Sequence, residues 1–161
     1  MTTDPTTFAT DGHDLLVERV FAAPPDLVWR AFTEPEHLVR WWGPHGTTTV
    51  VTELDLRPGG TWRFVNTSPE GRATPFIGRY LELDPPNRLV QTFAVEAFAD
   101  QTVTETTTFT ATPDGGTRVA TRSAFPSAEA LQGAVASGMA RGAAESHERL
   151  DTVLAALAAT S

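Results

Sequence analysis

The chain of 161 residues carries a formal net charge of −8 and contains neither cysteine nor lysine. The missing cysteines exclude disulfides, thiolate nucleophiles and cysteine-ligated metal centres, and the missing lysines exclude a Schiff base on lysine. The acidic balance argues against binding to nucleic acid or to anionic membrane surfaces, because both require a basic face. A ligand of this protein is therefore expected to be apolar or neutral.

Length and hydrophobicity predict one domain with a sizeable core over residues 14–161. Residues 1–13 are rich in threonine and include Pro5 and Gly12, so we predict a disordered or loosely attached tail. This tail lacks the features of a signal peptide, and no apolar run approaches the ~20 residues of a membrane span. We expect a cytoplasmic protein that is a monomer or a weak dimer.

The first part of the predicted domain consists of one strand and two short helices. Leu15–Phe21 is the strand, and Asp26–Phe32 is a helix that begins after two prolines. The second helix begins at Thr33, which has capping-box spacing to Glu36. It ends at Trp41–Pro44, a Trp-Trp-Gly-Pro sequence whose glycine and proline stop a helix. Two short helices therefore precede the main sheet.

From residue 47 the pattern changes to extended segments that are separated by glycine- and proline-rich turns. Short turns predict an antiparallel meander, because parallel neighbours need crossovers of a dozen or more residues. With the first strand, the sheet has about seven strands. The predicted strands after the helices are Thr47–Leu56, Thr61–Thr67, Thr74–Asp84, Arg88–Ala97, Thr102–Thr112 and Thr117–Phe125.

The chain closes with Ser127–Ala159, in which apolar residues follow one helical stripe for about eight turns, so we predict one long helix. Small residues interrupt the middle of this stripe, namely Gly138, Gly142, Ala143 and Ser146. A glycine in a helix costs roughly 1 kcal/mol relative to alanine. Space for a ligand beneath the helix would explain this pattern, and so would tight packing on the sheet.

The order of the elements predicts an α+β architecture. A sheet of this width has more area than one straight helix can cover, so the sheet must curl around the helix. The curved antiparallel sheet would grip the C-terminal helix and enclose a hollow beneath its middle. We expect the two short helices to close one mouth of this hollow, with Trp41 and Trp42 near the rim.

Several short runs after about residue 14 carry a resemblance to a known family. They are Glu18–Pro24, Thr33–Leu38, Trp41–Pro44, Arg57–Gly60, Gly78–Glu82, Pro85–Leu89, Gly115–Val119 and Ser146–Asp151. Together they resemble the bacterial branch homologous to the activator of the heat-shock-protein-90 ATPase, within the START-like or SRPBCC superfamily. The resemblance implies the helix-grip fold. It leaves the activity open, because the superfamily includes lipid carriers, hormone receptors, polyketide cyclases, ring-hydroxylase subunits and chaperone cofactors.

Glu105 is the most informative candidate for catalysis. The strand phase that contains Phe109 also contains Glu105 and Thr107, so either a carboxylate points inward or a bulge shifts the strand. An unpaired Glu105 in an apolar cavity would have a raised pKa and would suit general acid or base chemistry. Alternatively, Glu105 lies near an open mouth or pairs with an arginine such as Arg79 or Arg122.

The histidines provide one further catalytic candidate. His45 follows the Trp-Trp-Gly-Pro sequence near the proposed mouth and would suit acid–base chemistry. His37 and His147 lie on predicted helices among charged residues, and we expect both to be solvated. No histidine has metal-ligand spacing, and the sequence contains no serine triad, phosphate loop or dinucleotide fingerprint. We therefore predict neither a metal site nor a cofactor.

A ligand in the hollow would contact aromatic, polar and small side chains of the sheet and the long helix. The aromatic residues are equally compatible with an ordinary core, and Tyr80 is equally compatible with the surface. The predicted ligand-binding residues are Trp42, Trp62, Phe64, Tyr80, Phe93, Glu105, Thr107, Phe109, Met139, Gly142 and Ser146.

Three functions are consistent with these patterns. The first hypothesis is a protein that binds a small hydrophobic molecule between sheet and helix. The second is a cofactor-independent enzyme of cyclase, dehydratase or hydrolase type, in which Glu105 or His45 moves a proton. The third follows from the resemblance alone and is a protein-interaction module that assists a chaperone ATPase.

Overall fold

The strands form one antiparallel sheet that holds a long C-terminal helix, so the predicted helix-grip architecture is confirmed. A computed structural model describes residues 5–160. The strands of this part of the chain are β1 Thr7–Asp11, β2 Asp14–Phe21, β3 Thr48–Leu54, β4 Thr61–Thr67, β5 Ala73–Asp84, β6 Arg88–Val95, β7 Val103–Ala111 and β8 Thr117–Ala124. The helices are α1 Pro25–Thr33, α2 Pro35–Trp41, α3 Ala128–Ala136 and α4 Met139–Thr160.

The sheet has the strand order β1-β2-β8-β7-β6-β5-β4-β3, and every neighbouring pair is antiparallel. Strands β3 to β8 form the predicted meander, and β2 pairs with the last strand of that meander. The segment that contains α1 and α2 therefore connects β2, near one edge of the sheet, to β3 at the opposite edge. None of the described helices is long and apolar enough to cross a lipid bilayer.

The prediction of a loose tail over residues 1–13 is wrong for Thr7–Asp11, which pairs with β2 as an edge strand. All five residues of β1 are exposed, so this segment has no buried face and shows no apolar alternation. The turn to β2 places Gly12 at a φ of +64°, a conformation that favours glycine. Residues 1–4 lie outside the described part of the chain.

The prediction of one helix over Ser127–Ala159 is also wrong, because this segment forms the two helices α3 and α4. Ser127 is the N-cap of α3, and its hydroxyl accepts a hydrogen bond of 3.0 Å from the backbone N–H of Ala130. Gly138 has a φ of +93°, which ends the first helix in the left-handed conformation. The apolar stripe continues on both sides of this break, so periodicity alone did not reveal it.

The second half of α4 packs into the main core. Leu150, Val153, Leu154 and Leu157 are buried there against the sheet and α1, and Leu150 is completely inaccessible to solvent. Burial of each such side chain contributes about 1.5–3 kcal/mol relative to exposure. This contact fixes the position of the helix over the sheet.

A partly buried ion pair also joins α4 to the sheet. Arg19 lies on the inward face of β2, where alternate residues are buried, and it pairs with Asp151 of α4. Its guanidinium also donates a hydrogen bond of 3.2 Å to the Thr6 hydroxyl and lies over the ring of Phe21. Because a buried charge is costly without its partner, this pair favours one position of α4.

Two glycines provide a test of the packing. A methyl group on Gly78 of β5 would lie 2.2 Å from the ring of Trp62 and from the Thr92 carbonyl oxygen. A methyl group on Gly133 of α3 would have no neighbouring atom within 4 Å. We expect Gly78→Ala to lower the free energy of unfolding by about 1–3 kcal/mol. Gly133→Ala should raise it by about 1 kcal/mol. Urea unfolding measures both values, and equal stabilities of the two variants would contradict the packing described.

Candidate functional site

A cavity of about 740 Å³ lies between the sheet, α2, α3 and the first half of α4. Ligand pockets in proteins commonly measure about 300–1,000 Å³. The cavity lies beneath the small residues of the C-terminal segment. A methyl group on Gly142 would contact only Pro44, at 3.6 Å, so this face of α4 stands away from the sheet.

The segment after α2 closes the cavity on the side of α4. The Gly43 backbone N–H donates a hydrogen bond of 3.0 Å to the Ser146 hydroxyl, and Arg149 donates to the carbonyl oxygens of Gly43 and Pro44 at 3.0 Å each. Trp42, Gly43 and Pro44 all line the cavity. These bonds attach the Trp-Trp-Gly-Pro sequence to α4.

Four aromatic rings form the apolar wall of the cavity. The ring of Trp42 lies 5.3 Å from that of Phe64, 5.0 Å from that of Phe76 and 6.3 Å from that of Phe93, measured between centroids. Phe76 and Phe93 stack on each other at 5.4 Å. All four rings line the cavity, and Phe76 was not among the predicted residues.

Opposite the helices, four polar side chains line the cavity on adjacent strands of the sheet. Tyr80 pairs with Gln91, Gln91 pairs with Glu105, and Glu105 pairs with Ser123. Cross-strand partners share one face of a sheet, so these four residues form a continuous polar row. The Gln91 amide donates to Glu105 Oε1 at 3.3 Å, and the Ser123 hydroxyl donates to Oε2 at 3.4 Å.

Glu105 is the acidic member of the polar row. Burial raises the pKa of its carboxyl, and the two hydrogen bonds from Gln91 and Ser123 oppose this effect only in part. The side chain retains some accessible surface, and this surface faces the cavity. Glu105 is therefore enclosed by protein but open to a ligand.

Neither of the arginines that the sequence suggested as partners, Arg79 and Arg122, reaches Glu105. Arg122 pairs with Asp14 at 2.6 Å, and Arg79 donates to the Gly59 carbonyl oxygen at 3.1 Å. The alternative of an ion pair with either residue is therefore wrong. The carboxyl of Glu105 forms no ion pair with any residue in the range 5–160.

Tyr80 is buried at the β5 end of the polar row and points into the cavity. Burial raises the pKa of its hydroxyl, so the group stays neutral and can donate a hydrogen bond. No hydrogen bond joins this hydroxyl to another residue of the described chain. Next to the row, Thr107 and Thr121 share a hydrogen bond of 3.0 Å and also line the cavity.

Nine of the eleven predicted ligand-binding residues line the cavity. The exceptions are Trp62 and Phe109, which lie in the core behind it. Trp62 stacks on Phe64 at 4.5 Å, and Phe109 makes an edge contact with Trp29 at 5.6 Å. Met139, Gly142 and Ser146 of α4 are among the nine residues on the cavity side.

The other catalytic candidate, His45, lies outside the cavity. It is half exposed, and its Nε2 is 2.7 Å from Glu148 Oε1 on the outer surface of α4. Its backbone N–H donates to Glu145 at 3.0 Å. His45 is therefore not positioned to exchange a proton with a molecule in the cavity.

His147 is buried and lines the cavity, so the expectation that it is solvated is wrong. Burial and the nearby charge of Arg19 lower its pKa to about 4. Its Nδ1 is 3.0 Å from the Thr6 hydroxyl. The position was detectable, because residue 147 is three residues before Leu150 and seven before Leu154 on the buried stripe.

One group of potential metal ligands comes together among the described residues, away from the cavity. Glu34, Glu36 and His37 lie at the start of α2 and are partly or fully exposed. His37 Nε2 is 3.0 Å from Glu34 Oε1, so a surface ion pair accounts for the arrangement. None of the three residues lines the cavity.

The buried His147 predicts a pH dependence of stability. The unfolded chain takes up this proton near pH 6.5, whereas the folded chain does so only near pH 4, so acidification favours unfolding. Compared with that of His147→Gln, the free energy of unfolding of the native chain should fall by up to roughly 3 kcal/mol more between pH 7.5 and pH 4. Urea unfolding at both pH values measures this loss. His45→Gln is the control at an exposed histidine, and an equal pH slope in all three proteins would contradict burial of His147.

Bacterial proteins of known structure share this fold. Ms6760 from Mycobacterium smegmatis is 31% identical, with a TM-score of 0.80 over 95% of this chain and 97% of that one. A Rhodobacter sphaeroides protein is also 31% identical, with a TM-score of 0.85 over 95% and 99%. NE0264 from Nitrosomonas europaea is 28% identical, with a TM-score of 0.81 over 93% and 99%. No curated protein sequence matches the chain.

The family match covers most of the chain. Residues 22–155 match the family described as "Activator of Hsp90 ATPase homolog 1-like protein". The matched range contains the aromatic wall, the polar row and the small residues of α4. It confirms the family resemblance that the short sequence runs indicate. The chain therefore belongs to the family of Activator of Hsp90 ATPase homolog 1-like proteins.

Proposed function

We propose that the protein binds a small hydrophobic molecule in the cavity between the sheet and α4. The principal support is the cavity itself, which combines an aromatic wall with a few polar groups on one side. This combination is typical of small-molecule sites, in which apolar contacts supply affinity and polar groups supply orientation. A cytoplasmic location is part of the same proposal.

Glu105 supports a second candidate, a cofactor-independent enzyme of cyclase, dehydratase or hydrolase type. Its carboxyl faces the cavity, has no cationic partner among the described residues, and has a pKa raised by burial. A general base or acid works best when its pKa approaches the working pH. In this candidate function, Glu105 would exchange a proton with the enclosed substrate.

The open interior gives less support to a role as a chaperone ATPase co-factor. A protein-interaction module needs an accessible surface, whereas an unfilled cavity forfeits the dispersion contacts of its lining. A fold selected only for an outer surface would gain stability by filling this space. The cavity therefore favours the two small-molecule functions.

Occupation of the cavity can be tested with the neutral dye Nile red. Gly142→Leu places a leucine side chain on the cavity face of α4, whereas Ala155→Leu places the same side chain at an exposed position of the same helix. We expect Gly142→Leu to weaken dye binding at least about tenfold, because the added side chain occupies the site. Ala155→Leu should bind like the native chain.

Fluorescence titration measures these affinities, and equal binding by both variants would place the dye outside the cavity. Native mass spectrometry of the protein from its own host, followed by denaturation, would then identify the retained natural molecule. The same analysis of Gly142→Leu should show the chain without that molecule.

The binding and enzymatic candidates differ in their response to Glu105→Gln. This change keeps the size of the side chain but replaces the acidic carboxyl with an amide, which cannot act as a general acid or base near neutral pH. If the protein is an enzyme, the variant should bind the identified molecule within a few-fold of the native affinity. It should convert that molecule at a rate at least about 10²-fold below the native rate. Chromatography with mass spectrometry follows the conversion. Glu82→Gln on the outer surface is the matched control, and unchanged turnover in Glu105→Gln would exclude the enzymatic candidate.

A further inference from the structure

The charge of the cavity lining restricts what the cavity can hold. Among the described residues that line it, none is an arginine, and the chain contains no lysine. His147 cannot supply a positive charge near neutral pH, because its pKa is about 4. Two arginines lie close to this region without lining the cavity: Arg19 is paired with Asp151, and Arg149 donates to the carbonyl oxygens of Gly43 and Pro44.

An anionic group inside the cavity would therefore have no counter-ion. Removing a carboxylate from water costs several kcal/mol unless a cation or several hydrogen-bond donors replace the water. The acidic side chain in the lining, Glu105, adds repulsion when it is ionised. A carboxylate-bearing molecule would lose more in desolvation than it gains from the polar row.

The polar row retains capacity for a hydrogen-bond donor. The two carboxyl oxygens of Glu105 offer about four lone-pair positions, and Gln91 and Ser123 occupy only two of them with long bonds of 3.3 and 3.4 Å. The hydroxyl of Tyr80 makes no hydrogen bond within the described chain. A neutral hydroxyl group suits this row in either protonation state of Glu105, because it both donates and accepts.

The apolar wall lies next to the row. Phe93 is two residues from Gln91 on β6, so both side chains lie on the same face, about 7 Å apart along the strand. Phe76 stacks on Phe93, and Trp42 packs on Phe76. A molecule with an apolar body on these rings would therefore present its polar end to Gln91 and Glu105.

We infer that the cavity selects an uncharged hydrophobic molecule whose polar end is a hydroxyl group, or another neutral hydrogen-bond donor, placed against Glu105. It excludes molecules of similar size that end in a carboxylate, such as fatty-acid anions. This selection rests on the proposed function, because it concerns the molecule that the cavity holds. The same selection applies whether the protein is a carrier or an enzyme.

The test uses three fluorescent probes that share one apolar body: pyrene, 1-hydroxypyrene and pyrene-1-carboxylate. At pH 7 the phenol is neutral and the carboxylic acid is ionised. We expect the native chain to bind 1-hydroxypyrene at least about tenfold more tightly than pyrene-1-carboxylate, since one unpaired buried charge costs 1.4 kcal/mol or more. Fluorescence titration gives the three dissociation constants.

Glu105→Gln adds a reciprocal expectation. The variant removes the acidic group and introduces an amide that can donate to a carboxylate, so binding of pyrene-1-carboxylate should become several-fold tighter. Binding of 1-hydroxypyrene should change less than about threefold, because the amide oxygen still accepts a hydrogen bond. Glu82→Gln, which changes the net charge equally at an exposed position, should leave all three affinities unchanged.

Equal affinities of the native chain for 1-hydroxypyrene and pyrene-1-carboxylate would overturn the inferred selection while leaving the proposed function intact, because the cavity would still be occupied. A carboxylate affinity that rises equally in Glu105→Gln and Glu82→Gln would also overturn it, because overall charge would then explain the preference. If pyrene, its derivatives and Nile red all fail to bind, the proposed function fails together with this inference.

Discussion

The docking of α4 on the sheet is the constraint on which the rest of the structure depends. Leu150 and its apolar neighbours bury the second half of the helix, and the pair between Arg19 and Asp151 holds that half against β2. Because a helix is rigid over this length, its first half must follow the same axis. Because Gly142 and Ser146 in this first half have small side chains that do not reach the sheet, a cavity remains between them and the strands.

The same constraint explains the chemistry of the polar row. In a fully packed core, Glu105 would be replaced by an apolar residue, because an enclosed carboxyl without a cation destabilises the folded state when it is ionised. Here Gln91 and Ser123 support it on both sides within the sheet. Polar groups held by a rigid sheet are pre-organised, so a bound molecule would not need to order them.

Local sequence patterns predicted most helices and strands, but not all of the tertiary contacts that their side chains make. Thr61–Thr67 was predicted with its observed bounds, because alternation and flanking turns agree there. The break at Gly138 was missed, since the apolar stripe continues through it. Trp62 and Phe64 share one strand face, and only the positions of the helices decide which ring meets the cavity. Gln91 was missed because strand register, which places it beside Glu105, is not visible in a single sequence.

Through the hydrogen bonds of Thr6, the N-terminal segment contributes to the contact between α4 and the sheet. Its hydroxyl connects Arg19 of β2 with His147 of α4, at 3.2 and 3.0 Å. A chain shortened to the predicted domain start at residue 14 would lose this bridge together with β1, and water would replace it beside the imidazole. Thr6, which immediately precedes β1, thus links β2 to α4, so removal of this surface segment would change the hydrogen bonding of a buried histidine that lines the cavity.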